Sequence, residues 1–67
     1  HLDLHGVRHL EARDYVLDFV LQYQNLIPLI IICGNSNQMI KIAKEILIKN
    51  DIIFSEPRFG ILRVESI

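Results

Sequence analysis

The stretch His1-Leu2-Asp3-Leu4-His5-Gly6 decides how the rest of the chain is read. Leu2 and Leu4 alternate with Asp3 and His5, and successive side chains of a β-strand point to opposite faces. A first strand over residues 2–5 therefore turns two leucines toward a core. It leaves a carboxylate and an imidazole together on the other face, roughly 6 to 7 Å apart along the strand. Gly6 then turns the chain, and a helical pattern begins within a few residues. Ligands of open α/β sheets sit outside the carboxyl ends of the strands, so Asp3 and His5 stand where a site belongs.

Outward from that strand, residues 8–24 carry Ala12, Val16, Phe19, Val20 and Tyr23 at helical spacing, which predicts a helix with these five facing the core. Glu11 and Asp14 suit its positive N-terminus, although Arg8 stands where a capping Ser or Thr is expected. Asn25 and Pro28 end it. The apolar run over residues 29–33 is far shorter than the roughly 20 residues of a membrane span and predicts a central strand without a strongly wetted face. Gly34-Asn35-Ser36-Asn37 is a turn in which Ser36 or Asn37 caps a second helix over residues 38–50. That helix points Met39, Ile40, Ala43, Ile46 and Leu47 inward and leaves Lys41, Lys44, Glu45 and Lys49 in water. Residues 52–55 and 61–65 read as two further strands joined by a turn over residues 57–60.

The order β-α-β-α-β-β predicts an α/β (α+β) two-layer sandwich. Its four-stranded mixed sheet carries two helices on one face, with parallel strand pairs joined by crossovers and the last strand returning antiparallel. Sixty-seven residues make a single domain, 1–67, and are too few to supply helices for both faces of a sheet. A hydrophobic fraction of 51% supports a core, and one cysteine excludes an internal disulfide framework. A lone thiol without a secretion signal fits a reducing, cytoplasmic setting, with no membrane association. His1 in place of an initiator methionine fits a piece of a larger protein. The net charge of −1 lacks the basic excess of many nucleic-acid binders. Two arginines face four acids in residues 1–33, and five basic residues face four acids in residues 34–67. Nucleic-acid binding therefore needs a local patch or help from elsewhere in a larger protein.

Leu2-Asp3-Leu4-His5-Gly6, followed by Glu11-Ala12, resembles the opening of a small MutS-related (Smr) domain. The family's second signature, a strand ending in His-Gly-x-Gly or Thr-Gly-x-Gly, is matched here by Ile30-Ile31-Ile32-Cys33-Gly34-Asn35-Ser36. Gly34 is kept, Cys33 replaces the His or Thr, and Ser36 replaces the second glycine. Residues 57–64 resemble the family's final glycine turn and strand, so the resemblance covers nearly the whole chain. The element order also resembles the C-terminal domain of bacterial translation initiation factor three.

The resemblance implies nucleic-acid binding, DNA or RNA, with endonuclease activity of a nicking or ribonuclease kind. Asp3 and His5 are the catalytic candidates: His5 as general acid or base, Asp3 to orient it, position water or help hold a metal. Gly6, Arg8, Gly34, Asn35, Ser36, Lys41 and Arg58 are the candidates for nucleic-acid contact. The open N–H groups of a helix N-terminus suit a phosphate oxygen, and cations suit phosphates generally. No resident metal is assigned. A single carboxylate is too few for a built-in two-metal site, and a divalent cation such as magnesium stays open as a helper. The altered second motif supports a second expectation, a non-catalytic module that docks nucleic acid, a ribosome or a partner protein. Two other arrangements are weaker. Cys33 paired with His5 makes a thiol nucleophile, set against an inert core cysteine. His1, His5 and His9 make a zinc site only if strand, turn and helix share a face.

Overall fold

In the computed structural model, which describes residues 1–67, the chain runs β1 (Leu2–Asp3), α1 (His9–Gln22), a 3-10 turn (Gln24–Leu26), β2 (Leu29–Ile32), α2 (Asn37–Lys49), β3 (Ile53–Arg58) and β4 (Ile61–Ser66). The sheet order is β1-β2-β4-β3. β1 pairs parallel with β2, as the β1-α1-β2 unit requires, and β4 pairs antiparallel with both β2 and β3. The last strand thus inserts between the two strands that α2 connects.

Alternation along the strands separates two faces. Leu29, Ile31 and Cys33 from the β2 segment and Leu62 and Val64 from β4 are buried, in register as Leu29 opposite Val64 and Ile31 opposite Leu62. They meet Leu4, Ala12, Val16 and Val20, and Met39, Ile40, Ile42, Ala43, Leu47 and Ile52, in one core. Both helices therefore cover this face, and the molecule is the two-layer sandwich that the element order predicts. On the other face Ile30, Ile32 and Ile61 are half-buried beside exposed Asp3 and Arg63. No helix is long and apolar enough to cross a membrane.

Several boundaries differ from expectation for local reasons. β1 stops at Asp3 instead of residue 5, because the Leu4 carbonyl, next in line for the ladder, accepts the Val7 N–H at 3.1 Å where Gly6 turns the chain at φ +78°. On the open side of this edge strand the Asp3 carboxylate accepts the His5 backbone N–H at 2.9 Å and closes a side-chain turn. Leu4 still donates to the Ile32 carbonyl at 2.8 Å. α1 ends at Gln22, where Gln24 Nε2 donates back to the Leu21 carbonyl. Tyr23, expected in the core, is 40% exposed; it leans on half-buried Phe19 with ring centroids 5.4 Å apart.

α2 is covered by both the sheet and α1, so its buried arc takes in Ile42 and leaves Ile46 at the margin. Lys44, expected in water, is half-buried and ion-paired to Glu56 of β3 at 2.6 Å. β3 continues through Pro57, which lay in the expected turn. Three steps from Ser55 to Arg58 span only two from Arg63 to Ile61, so one extra residue bulges out of this edge strand. A proline is tolerated at such a place.

Candidate active site

Asp3 and His5 come together at the carboxyl end of β1. Asp3 Oδ1 lies 2.6 Å from His5 Nδ1 and also receives the His5 backbone N–H. The backbone donor first, and the imidazole with it, hold the Asp3 carboxyl below its ordinary value of 3.8 against a smaller desolvation effect. An ionised carboxylate only accepts, so Nδ1 carries the proton of this bond. The other ring nitrogen, Nε2, is left to act as base when bare or as acid when protonated. Both side chains are more than half exposed, so this pair orients the imidazole and adds little stability.

The His5 ring lies on Gly34. A Cβ built on Gly34 would stand 2.5 Å from His5 Nε2, at a backbone φ of +75° where side chains are already disfavoured. Behind Gly34 comes Gly60 of the β3–β4 turn, so close that a Cβ there would collide with the Gly34 carbonyl oxygen. Cys33 N–H donates to the Gly60 carbonyl at 2.7 Å and locks the turn against the end of β2. Three chain segments thus converge: the end of β1, the β2–α2 loop and the β3–β4 turn. The sequence marks Gly60 only as a turn residue. Its part in walling the site depends on β4 lying next to β2, which no local pattern announces.

The other expected contacts distribute around this point. Gly6 follows His5 with open space beside it. Arg8 occupies the N-cap of α1 without a capping bond, its Nε 4.0 Å from Glu11. Ser36 caps α2 by accepting the Met39 N–H at 3.1 Å, while Asn35 is exposed in the loop. Because β1 and β2 are parallel neighbours, the N-termini of α1 and α2 both open at the edge that carries the dyad. Lys41 is exposed in the second turn of α2, and Arg58 is exposed at the last β3–β4 pair; neither forms an ion pair.

The structure corrects two weaker arrangements. Cys33 points into the core, 3% exposed, on the face opposite Asp3. Burial first, then the Glu56 carboxylate, push its thiol from 9.0 up to about 11, with Lys44 opposing. A protonated, covered sulfur is no nucleophile. His1, His5 and His9 do not converge, nor does any other set of three His, Cys, Asp or Glu side chains. Compared with known protein families, curated proteins and solved structures, the chain matches none.

Proposed function

We propose that this chain is an Smr-like nucleic-acid-binding domain that cleaves phosphodiester bonds of DNA or RNA. The observation that carries this is the 2.6 Å contact between Asp3 and His5, which orients an exposed imidazole at the strand edge where two helix N-termini open. A phosphate at that edge meets unpaired first-turn N–H groups and the Arg8 and Arg58 guanidinium groups. His5 Nε2 takes a proton from water as the water oxygen bonds to phosphorus. The P–O bond on the far side breaks, and the leaving oxygen takes up a proton, leaving a phosphomonoester and a hydroxyl. Asp3 stays ionised throughout and stabilises the imidazolium. Magnesium, where it assists, would be held by the phosphate oxygens together with the Asp3 carboxylate and would offset the charge that builds on the phosphate.

A second reading, binding without cleavage, is favoured by a specific feature. Cys33 turns inward where the Smr motif has a His or Thr, so position 33 offers the substrate no side chain. Purified domain incubated with supercoiled plasmid and a structured RNA, with and without magnesium or manganese, separates the two. Under the nuclease reading, His5→Ala and Asp3→Ala reduce cleavage by about 10²-fold or more, with circular dichroism unchanged. Cleavage that survives His5→Ala defeats that reading. Absence of cleavage together with binding that weakens in Arg8→Ala and Arg58→Ala establishes the second.

A further inference from the structure

Phe59 is 62% exposed at the tip of the β3–β4 turn. A single exposed aromatic is ordinary in itself. Its placement is what matters. Gly60, its neighbour in sequence, packs on the Gly34 carbonyl, and Gly34 lies under the His5 imidazole. The Cys33-to-Gly60 hydrogen bond of 2.7 Å and the Arg58–Ile61 pair hold the two-residue turn on both sides. Phe59 is therefore presented from a braced turn beside the dyad. Arg58, the residue before it, is exposed and has no acidic partner, whereas Arg8, Arg13, Lys44 and Arg63 all do. The acid of this turn, Glu56, is engaged by Lys44 at 2.6 Å and by the Gly60 N–H, so its charge is offset by a neighbouring ammonium.

From this juxtaposition, and resting on the proposed function of the Asp3–His5 site, we infer that Arg58 and Phe59 form a clamp for single-stranded nucleic acid. Phe59 stacks on an unpaired base next to the phosphate handled by His5, and Arg58 holds an adjacent phosphate. An aromatic ring beside a cation is the combination that binds unpaired strands, because every base has a π-face and the backbone is anionic. In a closed duplex both faces of each base are covered by their neighbours. A ring on a short turn reaches one only by unstacking it. The favoured substrate class is thus single strands, loops or flaps.

The chain has no tryptophan, so Phe59→Trp creates a lone indole reporter that can be excited selectively over Tyr15 and Tyr23. The probes are labelled oligothymidylate, oligouridylate and a blunt DNA duplex, followed by fluorescence anisotropy. The wild type is expected to bind single strands, of either sugar, more tightly than duplex. Phe59→Ala weakens that binding about 5- to 150-fold and leaves duplex binding essentially unchanged. Phe59→Trp keeps the affinity, and its indole emission is quenched by unlabelled single strands but not by duplex. Arg58→Ala weakens all probes and lowers the salt slope by about one. Equal effects of Phe59→Ala on strand and duplex, no effect on either, or indole emission of Phe59→Trp that single strands leave unquenched would overturn the clamp. Plasmid and RNA cleavage with His5→Ala, scored separately, then still decides the nuclease reading. A wild type that binds none of the probes overturns the clamp and the proposed function together.

Discussion

At the level of single residues, the candidate site depends on two absent Cβ atoms. Gly34 leaves room for His5, and Gly60 leaves room for Gly34. The two positions differ in what would have to move. A methyl group at Gly34 meets the end of an exposed imidazole, which can swing away at the expense of its bond to Asp3. A methyl group at Gly60 meets a backbone carbonyl, which cannot. Gly34→Ala is accordingly expected to fold, with a loss of about 1–2 kcal/mol from the positive φ, and, under the proposed nuclease function, to lose cleavage as His5→Ala would. Gly60→Ala is expected to lose more stability than Gly34→Ala. Urea denaturation of the two variants beside the cleavage assay checks the order.

Among the elements, the two helices begin and end differently. α2 has Ser36 as its cap, and it closes with Asp51 N–H on the Ile48 carbonyl and Ile52 N–H on the Leu47 carbonyl. These are the paired bonds of a Schellman ending, with Asp51 at φ 57° where glycine is usual. α1 begins at Arg8, whose backbone is in the extended conformation of a cap but whose side chain cannot accept a hydrogen bond. The helix thereby forgoes a stabilising contact and places a cation three residues after His5. Arg8→Ser supplies the missing acceptor and should raise stability by about 1 kcal/mol, read from the denaturation midpoint. The same change removes the phosphate contact proposed for Arg8, so under that proposal the salt dependence of oligonucleotide binding should become shallower by about one. A stability gain without a binding change would mean that Arg8 does not touch the ligand.

For the whole molecule, three shifted groups, Asp3, Glu56 and Cys33, contribute to how stability depends on pH. Asp3 and Glu56 titrate below their ordinary values of 3.8 and 4.5, the first chiefly through the His5 backbone N–H and the second through Lys44. What they contribute is present above those values and fades as acid protonates the folded carboxylates. Cys33 is the reverse case, raised from 9.0 to about 11. Its burial favours the folded state fully below pH 9.0, and that advantage shrinks as the pH climbs toward 11. The alkaline loss, on the order of 2–3 kcal/mol, should disappear in Cys33→Ala. Denaturation midpoints between pH 8 and pH 11 test this, and an alkaline limb that persists in Cys33→Ala would assign it to another group.

The sequence by itself determined the element order, the mixed sheet and the two inward helix stripes. Period two and period 3.6 are written locally, in Leu2-Asp3-Leu4-His5 and in Ala12, Val16 and Val20. The nearness of Asp3 and His5 was legible from their spacing, but the 2.6 Å contact comes from the side-chain turn that ends β1 at Asp3, not from a shared strand face. Strand order was not legible, because β4 sits between β2 and β3 through contacts distant along the chain. From that one placement follow the packing of Gly60 on Gly34 and the position of Phe59 beside the dyad. The half-burial of Lys44 against Glu56 likewise depends on how α2 lies over β3. Cys33 shows the limit most plainly. Its neighbours suggested a helix N-terminus and a nearby histidine, but strand parity and the core around it turned the sulfur to the other face. Only long-range packing decides which side of a strand is dry, and that choice separated Cys33 from His5.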